Sequence, residues 1–256
     1  MDLTAWDLTK VRLGFTTLVE SAFLHKSHQF LTVSSDQAEE DFVAISAAWV
    51  ERIHPGDTLI TFNWDLLQEV LLTQRKRWSY EDGYGMRTTP EKSFASHPSP
   101  TTILKLHGSC NWALSHQQDE GLWMEDTHFF GSLDHDAPVV ASLGSTSHYG
   151  TSLIVPSYRK DPSRVRVLQR MWRLAEDVLS KAETLVVLGY SLPDADVLVR
   201  RLFRRTIQYS KALRSVTLVL GTDDESFRRW EALLGDRAHE RDRRKFEQWV
   251  RNVRQT

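Results

Sequence analysis

The chain has 256 residues, 41% of them hydrophobic and nine of them tryptophan, so it buries a full core and is not a disordered chain. Its formal charge of -2 comes from nearly balanced acids and bases, which removes any bulk electrostatic reason for nucleic acid or an anionic membrane as the principal partner. A single cysteine, Cys110, excludes an internal disulfide and a four-cysteine zinc site; with no secretory segment and no apolar run of about 18 residues, a cytoplasmic protein is expected.

Taken in order, residues 5–25 and 36–52 carry helical periodicity. Val11, Leu13, Phe15, Leu18 and Phe23 form the first stripe, and Phe42, Ile45, Ala48 and Trp49 the second. Ser34, Ser35 and Asp36 offer the second helix a capping start, and His54-Pro55-Gly56-Asp57 a turn that ends it. The first strand is Thr58-Leu59-Ile60-Thr61-Phe62. It breaks at Asn63-Trp64-Asp65 into a helix lined by Leu66, Leu67, Val70 and Leu71, for which Asp65 is a ready N-cap.

Residues 75–102, rich in charge, Gly, Pro, Ser and Thr, read as a long surface loop. Gly83-Tyr84-Gly85 within it is no phosphate loop, because no strand precedes it. A second strand, Ile103-Leu104-Lys105-Leu106, then ends in His107-Gly108-Ser109. From Trp112 to Thr151 the periodicity lapses, as expected of an insertion, and the β/α alternation resumes with Leu153-Ile154-Val155-Pro156.

A helix over 162–181 follows, with Leu168, Met171, Trp172, Ala175, Val178 and Leu179 as its stripe. The buried strand Thr184-Leu185-Val186-Val187-Leu188 runs into the turn Gly189-Tyr190-Ser191-Leu192-Pro193-Asp194-Ala195-Asp196. Asp194 caps the next helix, which reaches about residue 208 along Leu198, Leu202 and Phe203. The final strand, Val216-Thr217-Leu218-Val219-Leu220, turns at Gly221-Thr222-Asp223 into amphipathic C-terminal helices.

Buried strands alternating with helices predict an α/β fold: a doubly wound, mostly parallel Rossmann-like sheet with N-terminal helices and an inserted loop-rich subdomain. The expected division is a helical segment over 1–57 and a Rossmann-like domain over 58–256, with its insertion at 112–152. Ligands in such sheets bind at the C-terminal ends of the strands. Three strand ends here carry polar groups suited to chemistry: Asn63 and Asp65, then His107 and Ser109, then Gly189 and Ser191.

The ordered set Thr61-Phe62-Asn63-Trp64-Asp65, Lys105-Leu106-His107-Gly108-Ser109 with Asn111-Trp112, and Leu188-Gly189-Tyr190-Ser191-Leu192-Pro193-Asp194 resembles the sirtuin-like domains of bacterial anti-phage defence proteins. Those domains are relatives of the silent information regulator deacylases, and the resemblance spans roughly residues 58–222. It implies NAD as substrate, with His107 as general base and Asn63 and Asp65 at the nicotinamide end. It also implies nucleotide contacts from Thr61, Phe62, Gly108 and Ser109, and sugar-phosphate contacts from Gly189, Tyr190 and Ser191.

The residue chemistry suits those roles. An imidazole with an ordinary pKa near 6.5 is available as a base at neutral pH. A carboxylate accepts from a carboxamide N–H, an amide orients a hydroxyl or water, and glycine lets a backbone come close to phosphate. Zinc is not expected, since only Cys110 follows the histidine motif, so the resemblance points to NAD hydrolysis by a defence effector rather than to deacylation. The family's N-terminal Gly-rich phosphate loop has no counterpart in this sequence, and Gly221-Thr222 stands where the family usually has an Asn. A catalytically inactive sirtuin-like module, serving as a binding or scaffold subunit, is the alternative. A homo-oligomer or a defence complex is the assembly implied by the resemblance.

Elsewhere, His116, His128, His135 and His148 with Asp126, Asp134 and Asp136 fit no metal-ligand spacing, so no metal is assigned. Arg200, Arg201, Arg204 and Arg205 form a basic helix face, and Arg241, Arg243, Arg244 and Lys245 a second one of mixed charge. The interleaved Glu240 and Asp242 argue against a nucleic-acid footprint.

Overall fold

A computed structural model describes residues 36–86, 98–109, 112–115, 122–124, 149–151 and 166–251. Within them run α1 (Asp36–Glu51), β1 (Thr58–Thr61), α2 (Leu67–Gln74), β2 (Thr102–Lys105), β3 (Trp112–Ser115), β4 (Leu122–Met124) and β5 (Tyr149–Thr151). There follow α3 (Arg166–Lys181), β6 (Thr184–Leu188), α4 (Val197–Ile207), β7 (Ser215–Val219), α5 (Asp224–Leu234), β8 (Glu240–Asp242) and α6 (Phe246–Arg251). The fold is mixed α/β with short parallel sheets. The helix expected over 5–25, the Ser34-Ser35-Asp36 cap, the Leu153-Ile154-Val155-Pro156 strand and the His/Asp group of 116–148 lie outside the described residues.

The chain divides into two compact units, one of Met1–Glu39, Ile53–Val155 and Asp161–Trp172, the other of Glu40–Arg52, Pro156–Lys160 and Arg173–Thr256. In the first, β1 pairs parallel to β2 in the register Thr58↔Thr102 to Thr61↔Lys105. Ile103, Leu104 and Lys105 are all buried, as a parallel strand covered on both faces requires. The stretch without periodicity carries an antiparallel sheet in the order β4-β3-β5, with Ala113 opposite both Trp123 and Thr151.

Residues 75–102 are more than a surface loop. Trp78, Tyr84 and Met86 are buried there, so part of this polar, Gly-rich stretch belongs to the core. Its aromatic side chains were hidden among turn-forming residues, which is why composition alone suggested a loop. Gly83 is dictated by that packing: a Cβ built on it would sit 2.1 Å from Trp78 Nε1 and 2.4 Å from the Ser79 carbonyl oxygen. Its N–H donates to Ser79 O at 2.7 Å and its carbonyl accepts from Ile103 N at 2.8 Å, tying the turn to β2. Gly83→Ala is expected to destabilise by about 2 kcal/mol through overpacking, read as a lower midpoint in urea at unchanged slope.

In the second unit β6, β7 and β8 run parallel in that order. Val216, Leu218 and Val219 of β7 are buried, while β6 exposes Val186 at 39%. Trp230 of α5 is fully buried, its ring 4.9 Å from that of Phe203 on α4, which packs the two helices together. The stripe expected on α3 holds: Leu168, Met171, Ala175 and Leu179 are buried.

The strand over 216–220 is not the last, because Glu240-Arg241-Asp242 forms β8, in the register Thr217↔Glu240 to Val219↔Asp242. No apolar or β-branched residue marks that strand; the backbone pairs with β7 while its charges find partners. Asp242 accepts from the backbone N–H of Arg244 at 3.0 Å and from its Nε at 2.9 Å, while Arg241 and Arg243 pair with Glu231 and Asp224. The Arg241 guanidinium on Glu231 holds that carboxyl below its ordinary range. Residues 240–242 are therefore an edge strand, with Arg241, Arg243 and Arg244 ion-paired, and not part of the mixed-charge helix face expected there.

Asp194 is also not the cap of α4. The helix starts at Val197 with Asp196 at the N-cap, and Asp194 pairs with Arg200 instead. Asp223 does cap α5: its Oδ1 accepts from Glu225 N at 3.1 Å and Ser226 N at 3.2 Å, and its Oδ2 from Ser226 Oγ at 2.6 Å. These bonds, the Ser226 hydroxyl first, hold the Asp223 carboxyl below its ordinary value. Asp223→Ala is expected to lower Tm by roughly 2–4 °C. Because the folded pKa is depressed, the difference is complete above about pH 4 and closes as pH falls through the lowered value, which melting curves across pH will show.

Candidate functional site

The first two polar turns leave neighbouring parallel strands at the same end. β1 closes at Thr61, which lies opposite Lys105, and Leu106 N donates to Thr61 O at 3.0 Å, carrying the pairing one step further. Two adjacent chains thus deliver Asn63-Trp64-Asp65 and His107-Gly108-Ser109 side by side.

Thr61 is half-buried and its Oγ1 accepts from Asn63 N at 3.1 Å, which folds the chain over at the strand end. Phe62 packs its ring on the His107 imidazole, with centroids 5.1 Å apart and planes tilted by 56°. Asn63 is exposed. Asp65 Oδ1 accepts from Leu67 N, the first residue of α2, at 3.1 Å; the N-cap position itself is Leu66, so Asp65 stands one residue before the cap expected of it.

His107 is 8% exposed, against an aromatic face, on a turn that Gly108 makes feasible. Gly108 has φ +85, a left-handed conformation that a Cβ would strain, and its N–H donates to Lys105 O at 3.2 Å. Ser109 is fully buried. Trp172 Nε1 donates to Leu106 O at 2.9 Å, fixing the backbone one residue before the histidine. Sequence reasoning assigned Trp172 only to a helical stripe, since a side chain reaching a strand 66 residues away leaves no local signature.

Beneath these turns lies a group that sequence reasoning passed over. Lys105 and Glu69 are both fully buried and paired, Nζ to Oε1, at 2.9 Å. Tyr84 OH donates to the same Oε1 at 2.9 Å, and the Lys105 ammonium donates also to the backbone carbonyl of Asp65. One signal was available: a lysine inside an otherwise apolar buried strand demands a partner.

Gly189, Tyr190 and Ser191 belong to the second unit. Gly189 has φ +64 with open space where a Cβ would stand, and its N–H donates to Val219 O at 3.0 Å. Tyr190 turns its hydroxyl to the buried Asp196 and its carbonyl accepts from Trp230 Nε1 at 2.7 Å. Burial pushes the Tyr190 phenol well above its ordinary value, against a smaller opposing pull from Arg200. Ser191 is half-buried.

The next residue, Leu192, is fully buried at φ +51, a strained conformation for a branched side chain, and its carbonyl accepts from Arg200 Nη2 at 2.9 Å. Arg200 thus fastens the 189–196 turn, and Arg205 pairs with Glu176, so the arginine face of α4 is partly engaged within its own unit.

Among the described residues, no group of three or more His, Cys, Asp and Glu stands together as metal ligands, and no helix is long and apolar enough to cross a membrane. The sequence matches no protein-family model and no curated protein.

Proposed function

We propose that this chain is a sirtuin-like NAD-consuming domain that hydrolyses NAD to nicotinamide and ADP-ribose in the cytoplasm, in a bacterial anti-phage defence setting. The reading includes a doubly wound Rossmann-like sheet as the frame and a homo-oligomer or defence complex as the working assembly. The observation that supports it most is the pairing of Thr61 with Lys105, which sends the Asn/Asp turn and the histidine turn out of adjacent parallel strands. The defence setting rests on the resemblance of the three ordered motifs.

In this reading water attacks the anomeric carbon as the ribosyl–nicotinamide bond breaks and nicotinamide leaves with the bonding pair. His107 takes the proton the water releases. The sugar is cation-like at the transition state, so gains come from holding the leaving group and water in line. Asp65 has its Oδ1 engaged by Leu67 N, and Oδ2 is the atom that accepts from the carboxamide N–H. Asn63 orients a ribose hydroxyl or the water, while Thr61, Phe62, Gly108 and Ser109 frame that end. The assignment of Gly189, Tyr190 and Ser191 to the sugar-phosphates rests on the resemblance of the third motif.

The test is incubation of the full chain with NAD. One nicotinamide and one ADP-ribose are expected for each NAD consumed. If there is neither product nor a saturable NAD-dependent rise in Tm, the catalytic reading fails and a non-catalytic binding or scaffold module takes its place.

A further inference from the structure

The Lys105–Glu69–Tyr84 group is more polar than its surroundings need. Ile103, Leu104, Leu106, Leu66 and Leu72 around it in the chain are buried apolar residues, and apolar side chains of similar volume in place of a buried ion pair are often neutral or stabilising. What an apolar replacement lacks is the ammonium's additional bond, which goes to the backbone carbonyl of Asp65. Lys105 lies two residues before His107, and Glu69 lies one helical turn beyond Asp65. One side chain therefore ties the turn that carries Asn63 and Asp65 to the strand that delivers His107.

We propose that Lys105 is a positioning residue for the His107 site: with its ammonium oriented by Glu69 and Tyr84, it holds the Asp65 carbonyl and sets the 63–65 turn against the histidine. The catalytic part of this inference rests on the NAD-hydrolase reading; the ordering of the turn does not. Glu69 shares one oxygen, Oε1, between Lys105 and Tyr84. This arrangement fixes the ammonium in one place and directs a further N–H outward to the turn.

The test uses the full chain with Lys105→Met and Glu69→Leu combined, a pair that removes both charges and so avoids stranding one of them. Amide hydrogen exchange is expected to quicken about tenfold at Asn63 and Leu67, with Ile103 and β7 unchanged. In NAD turnover kcat is expected to fall about 100-fold with KM within about threefold, as for a misplaced rather than missing group. Glu69→Gln, which keeps an acceptor for both donors, should restore most of the protection at Leu67. Unchanged exchange at Asn63 and Leu67 in the folded double variant overturns the proposal, as does a rise in KM with kcat intact. If the unmodified chain releases no nicotinamide, the NAD reading fails, and the exchange result by itself decides whether Lys105 orders the turn.

Discussion

His107→Ala is expected to lower nicotinamide release from NAD by about 100- to 10,000-fold, the usual contribution of a positioned general base. The imidazole is the group on these two turns whose ordinary pKa puts its neutral form within reach near pH 7. It is held by its place at the strand end, by the Phe62 ring and by the Gly108 turn, with Trp172 bonded to the preceding carbonyl. Removing the ring also removes buried area, so Tm has to be followed alongside. His107→Asn, which keeps a polar side chain of smaller size, separates the two effects. If both variants turn over NAD at the unmodified rate while remaining folded, His107 is not the base and the mechanism built on it is wrong.

Lys105→Met alone is expected to destabilise the chain by about 3–5 kcal/mol, the typical loss when one partner of a buried pair is removed. Glu69 is fully buried, and without Lys105 its Oε1 keeps only the Tyr84 hydroxyl. A carboxylate buried there without its cation carries a high desolvation cost. Adding Glu69→Leu is expected to recover much of the stability, since the attraction and the desolvation disappear together. Urea unfolding of both single variants and the double variant measures the coupling directly. Additive single effects would show that the pair contributes nothing beyond its separate side chains.

The parts of the fold that were legible share one property. Strands β1, β2, β6 and β7 and helix α3 are dense local runs of apolar residues, so their existence is written into consecutive positions. Burial follows only in β2, β7 and the stripe of α3, while β1 is half-buried throughout and β6, expected to be buried, buries only Val187. β8 was not legible because a strand formed from Glu240, Arg241 and Asp242 is stabilised by the ladder to β7 and by distant acids and arginines. Asp194 misled for a related reason. It has the chemistry of a cap, but the helix starts three residues later, and Arg200 reaches back along α4 to claim it.

The candidate site divides in the same way. The sequence by itself determined that Asn63, Asp65 and His107 stand at strand ends, because an apolar run broken by a polar residue and glycine can be read locally. It likewise placed Gly189 and Gly221 at turns, where both adopt positive φ. Only the tertiary structure decided that β1 and β2 are neighbours in the register Thr61↔Lys105, that Phe62 lies on His107, that Lys105 reaches Glu69 and the Asp65 carbonyl, and that Tyr84 bonds the same Glu69 oxygen. Those contacts join residues 15 to 45 positions apart. Their energy comes from desolvated pairing, which depends on what the folded chain brings together and leaves no periodicity along the sequence.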